Sequence, residues 1–248
     1  MPRPATEIAT AHIAAYFTLQ FHILRMFLMR NWRPAVTLNG QEHLRDALAD
    51  GRGAVLWVGN FACASLVQKQ AMAEAGYRVS HLSGPNHGFS NTVFGRRYLN
   101  PIRVSVEERF VRERILLGET SPTSALRQMR ARLAENGLVS VTEGRAGVDT
   151  VAVRLFDGQL TLATGAPRLA FVSGAPLLPV FALSTGPSAF AVDVGSPLAE
   201  GVDGDSSDFV TAAVGDYAAR LEGYVRRAPE QWSGWYGAAE VSSTDVGQ

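Results

Sequence analysis

The 248-residue chain is 46% hydrophobic and 19% charged, which places it in the ordinary globular range, large enough to fold without disulfide staples. Its one cysteine, Cys63, excludes an intramolecular disulfide and any cysteine-based zinc or iron–sulfur cluster. Its 23 basic and 23 acidic residues cancel, which argues against a whole-surface nucleic-acid binder; only Lys69 is lysine, and the other 22 bases are arginines, whose forks favour fixed anion contacts.

Residues 8–29 are largely apolar but contain His12, Gln20, His22 and Arg25. A spanning helix needs about 20 nearly uninterrupted apolar residues, and no basic region or cleavage site marks a signal peptide. Ile8, Ala11, Ala15, Leu19, Ile23 and Met26 recur at helical spacing, which predicts an amphipathic helix within residues 1–35 that docks on its own domain. Arg25, Arg30, Trp32 and Arg33 would also suit a membrane surface, a peripheral contact that the pattern does not favour. The expected location is cytoplasmic.

Residues 36–237 form one expected domain. Gln41–Asp50 is a short helix closed by the Gly51–Arg52–Gly53 turn, Ala54–Val58 a buried strand, Cys63–Ala75 a helix and Arg78–Leu82 a strand. Ser83–Leu99 reads as a long loop, with Gly95–Arg103 as a proline-fixed segment carrying Arg96, Arg97 and Arg103. Thr123–Glu135, Gly165–Val172 and Asp208–Arg227 are helices; Leu138–Thr142, Thr150–Phe156, Leu177–Leu183 and Ala189–Val194 are strands. The alternation predicts an α/β class with a mainly parallel central sheet flanked by helices, and residues 238–248 form an expected frayed tail. Charge is segregated: residues 77–132 hold ten arginines against four glutamates, and residues 193–248 hold ten acids against three arginines. Two solvated faces explain this as well as an arginine-lined site for a phosphate, a sulfate or an acidic carrier protein.

Four stretches in order carry a family resemblance. They are Gly40–Leu48 leading into Gly51–Val58, Val139–Arg145 (Val-Ser-Val-Thr-Glu-Gly-Arg), Leu160–Ala170 through Gly174–Phe181, and Pro229–Trp232 with Trp235. Together they resemble the lysophospholipid acyltransferase superfamily, particularly its bacterial lipid A and phosphatidylinositol-mannoside acyltransferase branch. That resemblance implies a glycerolipid-acyltransferase-like fold and places Glu143 and Arg145 in the substrate cleft; an ion pair between them is the bland alternative.

The family's chemistry rests on a His-x-x-x-x-Asp/Glu motif after the first strand, whose histidine deprotonates an acceptor hydroxyl. Here Asn60 stands where the histidine belongs and Ser65 where the carboxylate belongs. An amide accepts no proton near neutral pH, so the usual O-acyl transfer loses a factor of about 10²–10⁴. His87 is the best substitute base, with a plain surface histidine as the competing reading. Cys63 near the lost motif reads as an inert core thiol, and His12, His22, His43 and His81 as helix or strand residues.

Three outcomes fit an arginine-rich site without this base: a catalytically dead scaffold, acyl transfer to an amine, or an intramolecular displacement in which arginines stabilise a leaving anion. Superfamily members with degraded motifs are similar to the aziridine-forming synthases of azinomycin-type antibiotic pathways. That likeness implies ring closure with sulfate elimination on a substrate held by an acidic amino-group or acyl carrier protein, with a sulfotransferase upstream. Asn60, His87 and Glu143 are the catalytic candidates, and Arg96, Arg97, Arg103, Arg145 and Ser65 the anion-binding ones. No metal or cofactor is expected.

Overall fold

A computed structural model describes residues 4–84, 92–117, 122–144 and 149–235. Helix α1 (Ala5–Leu28) precedes β1 (Ala35–Asn39), α2 (Gln41–Ala49), β2 (Ala54–Val58), α3 (Ala64–Glu74) and β3 (Val79–Ser83). A π-helical turn (Gly95–Leu99) runs into α4 (Asn100–Glu107), followed by β4 (Val111–Leu116), α5 (Pro122–Ala134) and β5 (Leu138–Thr142). Strands β6 (Thr150–Leu155) and β7 (Gly158–Ala163), helix α6 (Gly165–Ser173), strands β8 (Leu177–Gly186) and β9 (Ala189–Val194), and helix α7 (Ser206–Arg227) complete the order, with a short 3-10 turn at Pro229–Gln231.

The central sheet has seven strands in the order β1-β9-β8-β2-β5-β3-β4. All neighbours pair in parallel except β8 and β9. Every residue of β2 is buried, because helices cover both faces of a parallel sheet and leave no polar side. The expected α/β architecture is therefore the observed one. The Thr150–Phe156 segment does form a strand, but it pairs with β7 in a separate antiparallel hairpin rather than joining the sheet.

The expected loop to Leu99 needs correcting. Gly95–Leu99 is helical and leads directly into α4, with Pro101 in that helix's first turn. There proline's missing N–H breaks no intrahelical bond and its fixed φ suits the helix. Residues 238–248 lie outside the described residues.

The inward face of α1 is the one predicted, with Leu19, Ile23 and Met26 buried. Two histidines anchor it: His12 Nδ1 donates to the Glu230 carbonyl at 2.8 Å, and His22 Nε2 to the Pro187 carbonyl at 2.9 Å. Burial lowers the His22 pKa, although the bond to the Pro187 carbonyl opposes the shift. The outer face of α1 exposes Phe17 (65%), Phe21 (63%) and Leu28 (69%). Among the described residues, no helix is long and apolar enough to cross a membrane.

Candidate active site

Strand β2 hands over to α3 through Gly59. A Cβ at this position would lie 2.7 Å from the Phe181 ring, so only glycine fits the close approach. The turn delivers Asn60 to the crevice beyond the carboxyl ends of β2, β3 and β5, where open parallel sheets hold their ligands. A cavity of about 390 Å³ lies there, lined by Asn60, Ser65, His81, Ser83, Arg103 and Thr142, with Tyr16, Leu19 and Gln20 contributed by α1.

Ser65 and Lys69 stand one turn apart on α3, and Arg103 and Glu107 one turn apart on α4. Arg103 Nη2 donates to Ser65 Oγ at 2.6 Å, and Arg103 Nε to Glu107 Oε1 at 2.8 Å. Lys69 Nζ donates to Glu107 Oε2 at 2.5 Å, and both side chains of this pair are fully buried. Desolvation pushes the Lys69 ammonium down while the Glu107 charge opposes it. Glu107 is thus the keel of a ladder that ends with the Arg103 guanidinium at the cavity wall. A second guanidinium stands nearby, with Arg114 Nη2 donating to Ser83 Oγ at 2.9 Å.

The Asn60 carbonyl accepts the Ser233 N–H at 2.8 Å, and its side-chain amide bonds to no described residue. His81, on β3, also lines the cavity; its Nδ1 lies 2.8 Å from Ser140 Oγ. The arrangement can hold an anion with a guanidinium, a hydroxyl and an amide. Neither the Asn60 amide nor the Arg103-bound Ser65 hydroxyl is a general base near neutral pH.

The structure therefore brings Asn60, Ser65 and Arg103 together at one cavity. Arg96 and Arg97 lie exposed on the π-helical turn and do not line it. Glu143 does not line it either: its carboxylate accepts from Tyr217 Oη at 2.6 Å and from Trp232 Nε1 at 2.9 Å. Burial, then the Glu143 charge, raises the Tyr217 pKa well above its ordinary value, so the phenol stays protonated and donates. His87 and Arg145 lie outside the described residues. Cys63 is buried and donates its thiol to the Ala182 carbonyl at 3.3 Å; burial pushes its pKa up to about 12, which leaves no thiolate for nucleophilic attack.

Part of the basic central stretch is spent locally, with Arg112 on Glu135 and Arg132 on both Glu113 and Glu135. The sequence reading missed Lys69, although a sole lysine in a helical segment whose other charge is Glu74 alone was a usable signal. It also missed Gln20, for which one polar residue on an apolar helix was the only sign.

Residues 9–235 match the family described as bacterial lipid A biosynthesis acyltransferase, and the chain belongs to that family. No curated protein matches it. Among solved structures, the chain is similar to the 1-acyl-sn-glycerophosphate (LPA) acyltransferase PlsC from Thermotoga maritima, at 14% identity over 88% of this chain and 81% of that one, with a TM-score of 0.43.

Proposed function

We propose that the chain transfers an acyl group from a thioester to an amine, with an anionic part of the substrate seated on Arg103. The observation that carries this reading is the pairing of Ser65 with Arg103 beside Asn60, where an O-acyltransferase keeps its histidine and carboxylate. A neutral amine already presents its lone pair and needs no deprotonation before attack. Its nitrogen bonds to the acyl carbon, the carbon–sulfur bond breaks, and the leaving thiolate or solvent takes the surplus proton. Positioning and anion stabilisation then supply most of the rate.

The Arg103 guanidinium on the cavity wall favours a second reading. An amine within the substrate displaces a sulfate ester: the carbon–nitrogen bond closes the ring, the carbon–oxygen bond breaks, and sulfate leaves with the electron pair. The ring nitrogen then loses a proton to solvent. Here an acidic carrier protein would deliver the substrate, with Arg96 and Arg97 on the exposed turn available for docking.

The test uses purified chain with acyl-CoA thioesters, offered an amine or its matching alcohol. Thiol release with the amine well above that with the alcohol, and reduced about tenfold or more by Arg103→Lys, supports acyl transfer. Sulfate release from a sulfated amine with no thioester consumption supports ring closure. Neither product supports a scaffold. Under acyl transfer, Asn60→His with Ser65→Asp should restore little alcohol acylation, because Arg103 captures the new carboxylate.

A further inference from the structure

The α1 wall of the cavity holds a polar group whose bonds are unmade. Gln20 lines the cavity, and its Oε1 and Nε2 are both shut off from solvent with no hydrogen-bond partner. Gln68, buried on α3, also leaves both amide atoms unpaired, but it does not line this cavity. The Gln231 amide accepts the Ser184 N–H at 2.6 Å and donates to the Ser184 carbonyl at 3.2 Å. Buried polar atoms are nearly always paired, so an orphaned amide at a cavity wall points to a partner that the folded chain itself does not supply. Its three rotatable bonds let the amide turn into the cavity.

The surroundings define that partner. None of the described lining residues is acidic, Arg103 brings a guanidinium, and Asn60 brings a second amide. A ligand that satisfies all three carries an anionic head and, on the Gln20 side, a group that both donates and accepts. A plain alkyl chain would leave the Gln20 amide unpaired and lose that discrimination.

We propose that Gln20 is a specificity residue: its amide pairs with an amide or hydroxyl arm of an organic anion whose charged group sits on Arg103. This rests on the reading of the cavity as an anion-holding substrate site. It makes α1 part of the binding site as well as a covering helix, and it names the substrate class as a polar-armed acid rather than a bare fatty acyl group.

The experiment compares inorganic phosphate with N-acetyl-O-phosphoserine by calorimetry on the full chain, its Gln20→Leu and Gln20→Met variants, and Arg103→Lys. Either Gln20 variant should bind phosphate as the parent does, bind N-acetyl-O-phosphoserine about tenfold more weakly, and melt about 2–4 °C higher without ligand. Arg103→Lys should weaken both anions. If the Gln20 variants melt higher but keep the full preference for the armed anion, the inference fails and the anion site stands. If the parent binds neither anion, or Arg103→Lys binds both unchanged, the anion site and the inference fall together.

Discussion

Two buried carboxylates, one at the end of α4 and one just after β5, are held in opposite ways. Glu107 takes its described bonds from charged donors, Lys69 and Arg103. Glu143 takes its described bonds from neutral donors, the Tyr217 hydroxyl and the Trp232 indole. The first arrangement carries charge toward the cavity, because Arg103 also reaches Ser65 on its wall. The second ties β5 to α7 and to the segment after the 3-10 turn. Both are buried acids, yet among their described contacts it is the Glu107 ladder that reaches the cavity wall. The difference teaches that a buried acid can be held by charged or by neutral donors, and that of these two sets the charged one reaches the cavity wall through Arg103.

The largest expected effect breaks the cationic ladder. Glu107→Ala strands the fully buried Lys69, so it should destabilise by about 3–5 kcal/mol in chemical unfolding. Glu107→Gln with Lys69→Met removes both charges together and should recover much of that loss. An unchanged unfolding midpoint for Glu107→Ala would show that Lys69 has no need of its partner.

Glu143→Gln comes next. It leaves one of two donors without a proper acceptor, at about 1–3 kcal/mol, and should shift Trp232 emission while leaving anion binding intact. Loss of anion binding in a folded Glu143→Gln variant would return Glu143 to the substrate side and erase the contrast.

A third carboxylate sets the lower end of the scale. Glu113, bonded first by Arg132 and then by Ser80 and Gln128, is held down to about 2 from an ordinary 4.5. A depressed folded pKa adds stability above the unfolded value and loses it as pH falls toward the folded one. Parent and Glu113→Gln should therefore differ most above about pH 4.5 and converge near pH 2, as pH-dependent melting would show. A constant difference across that window would remove the ion pair from the account. The smallest effect belongs to the outer face of α1, where Phe21→Ser should change stability by no more than about 0.5 kcal/mol in a melt.

Much of the fold was legible because interior strands are apolar along their length. β2, β5 and β8 read as strands because both their faces are covered. The strands missed are the sheet's two edges and half of the hairpin. β1 follows Pro34 and buries no residue fully, while β4 carries Arg112, Glu113 and Arg114 in its middle. Edge strands tolerate such residues because their open side meets solvent. The helix through Arg103 was hidden by Gly95, Asn100 and Pro101, which mark loops as readily as helix starts.

The sequence by itself determined the layered α/β class and the presence of Asn60 and Ser65 just after the first buried strand, covalent facts that no packing can change. It also set the apolar stripe that docks α1. Only the tertiary structure decided which arginine serves the cavity, which glutamate does not, and where Gln20 is stranded. Arg103 lies 38 residues from Ser65, and Trp232 lies 89 from Glu143. Local periodicity cannot encode contacts over such separations; the order of strands in the sheet brings them together, and burial then sets which charges must be paired.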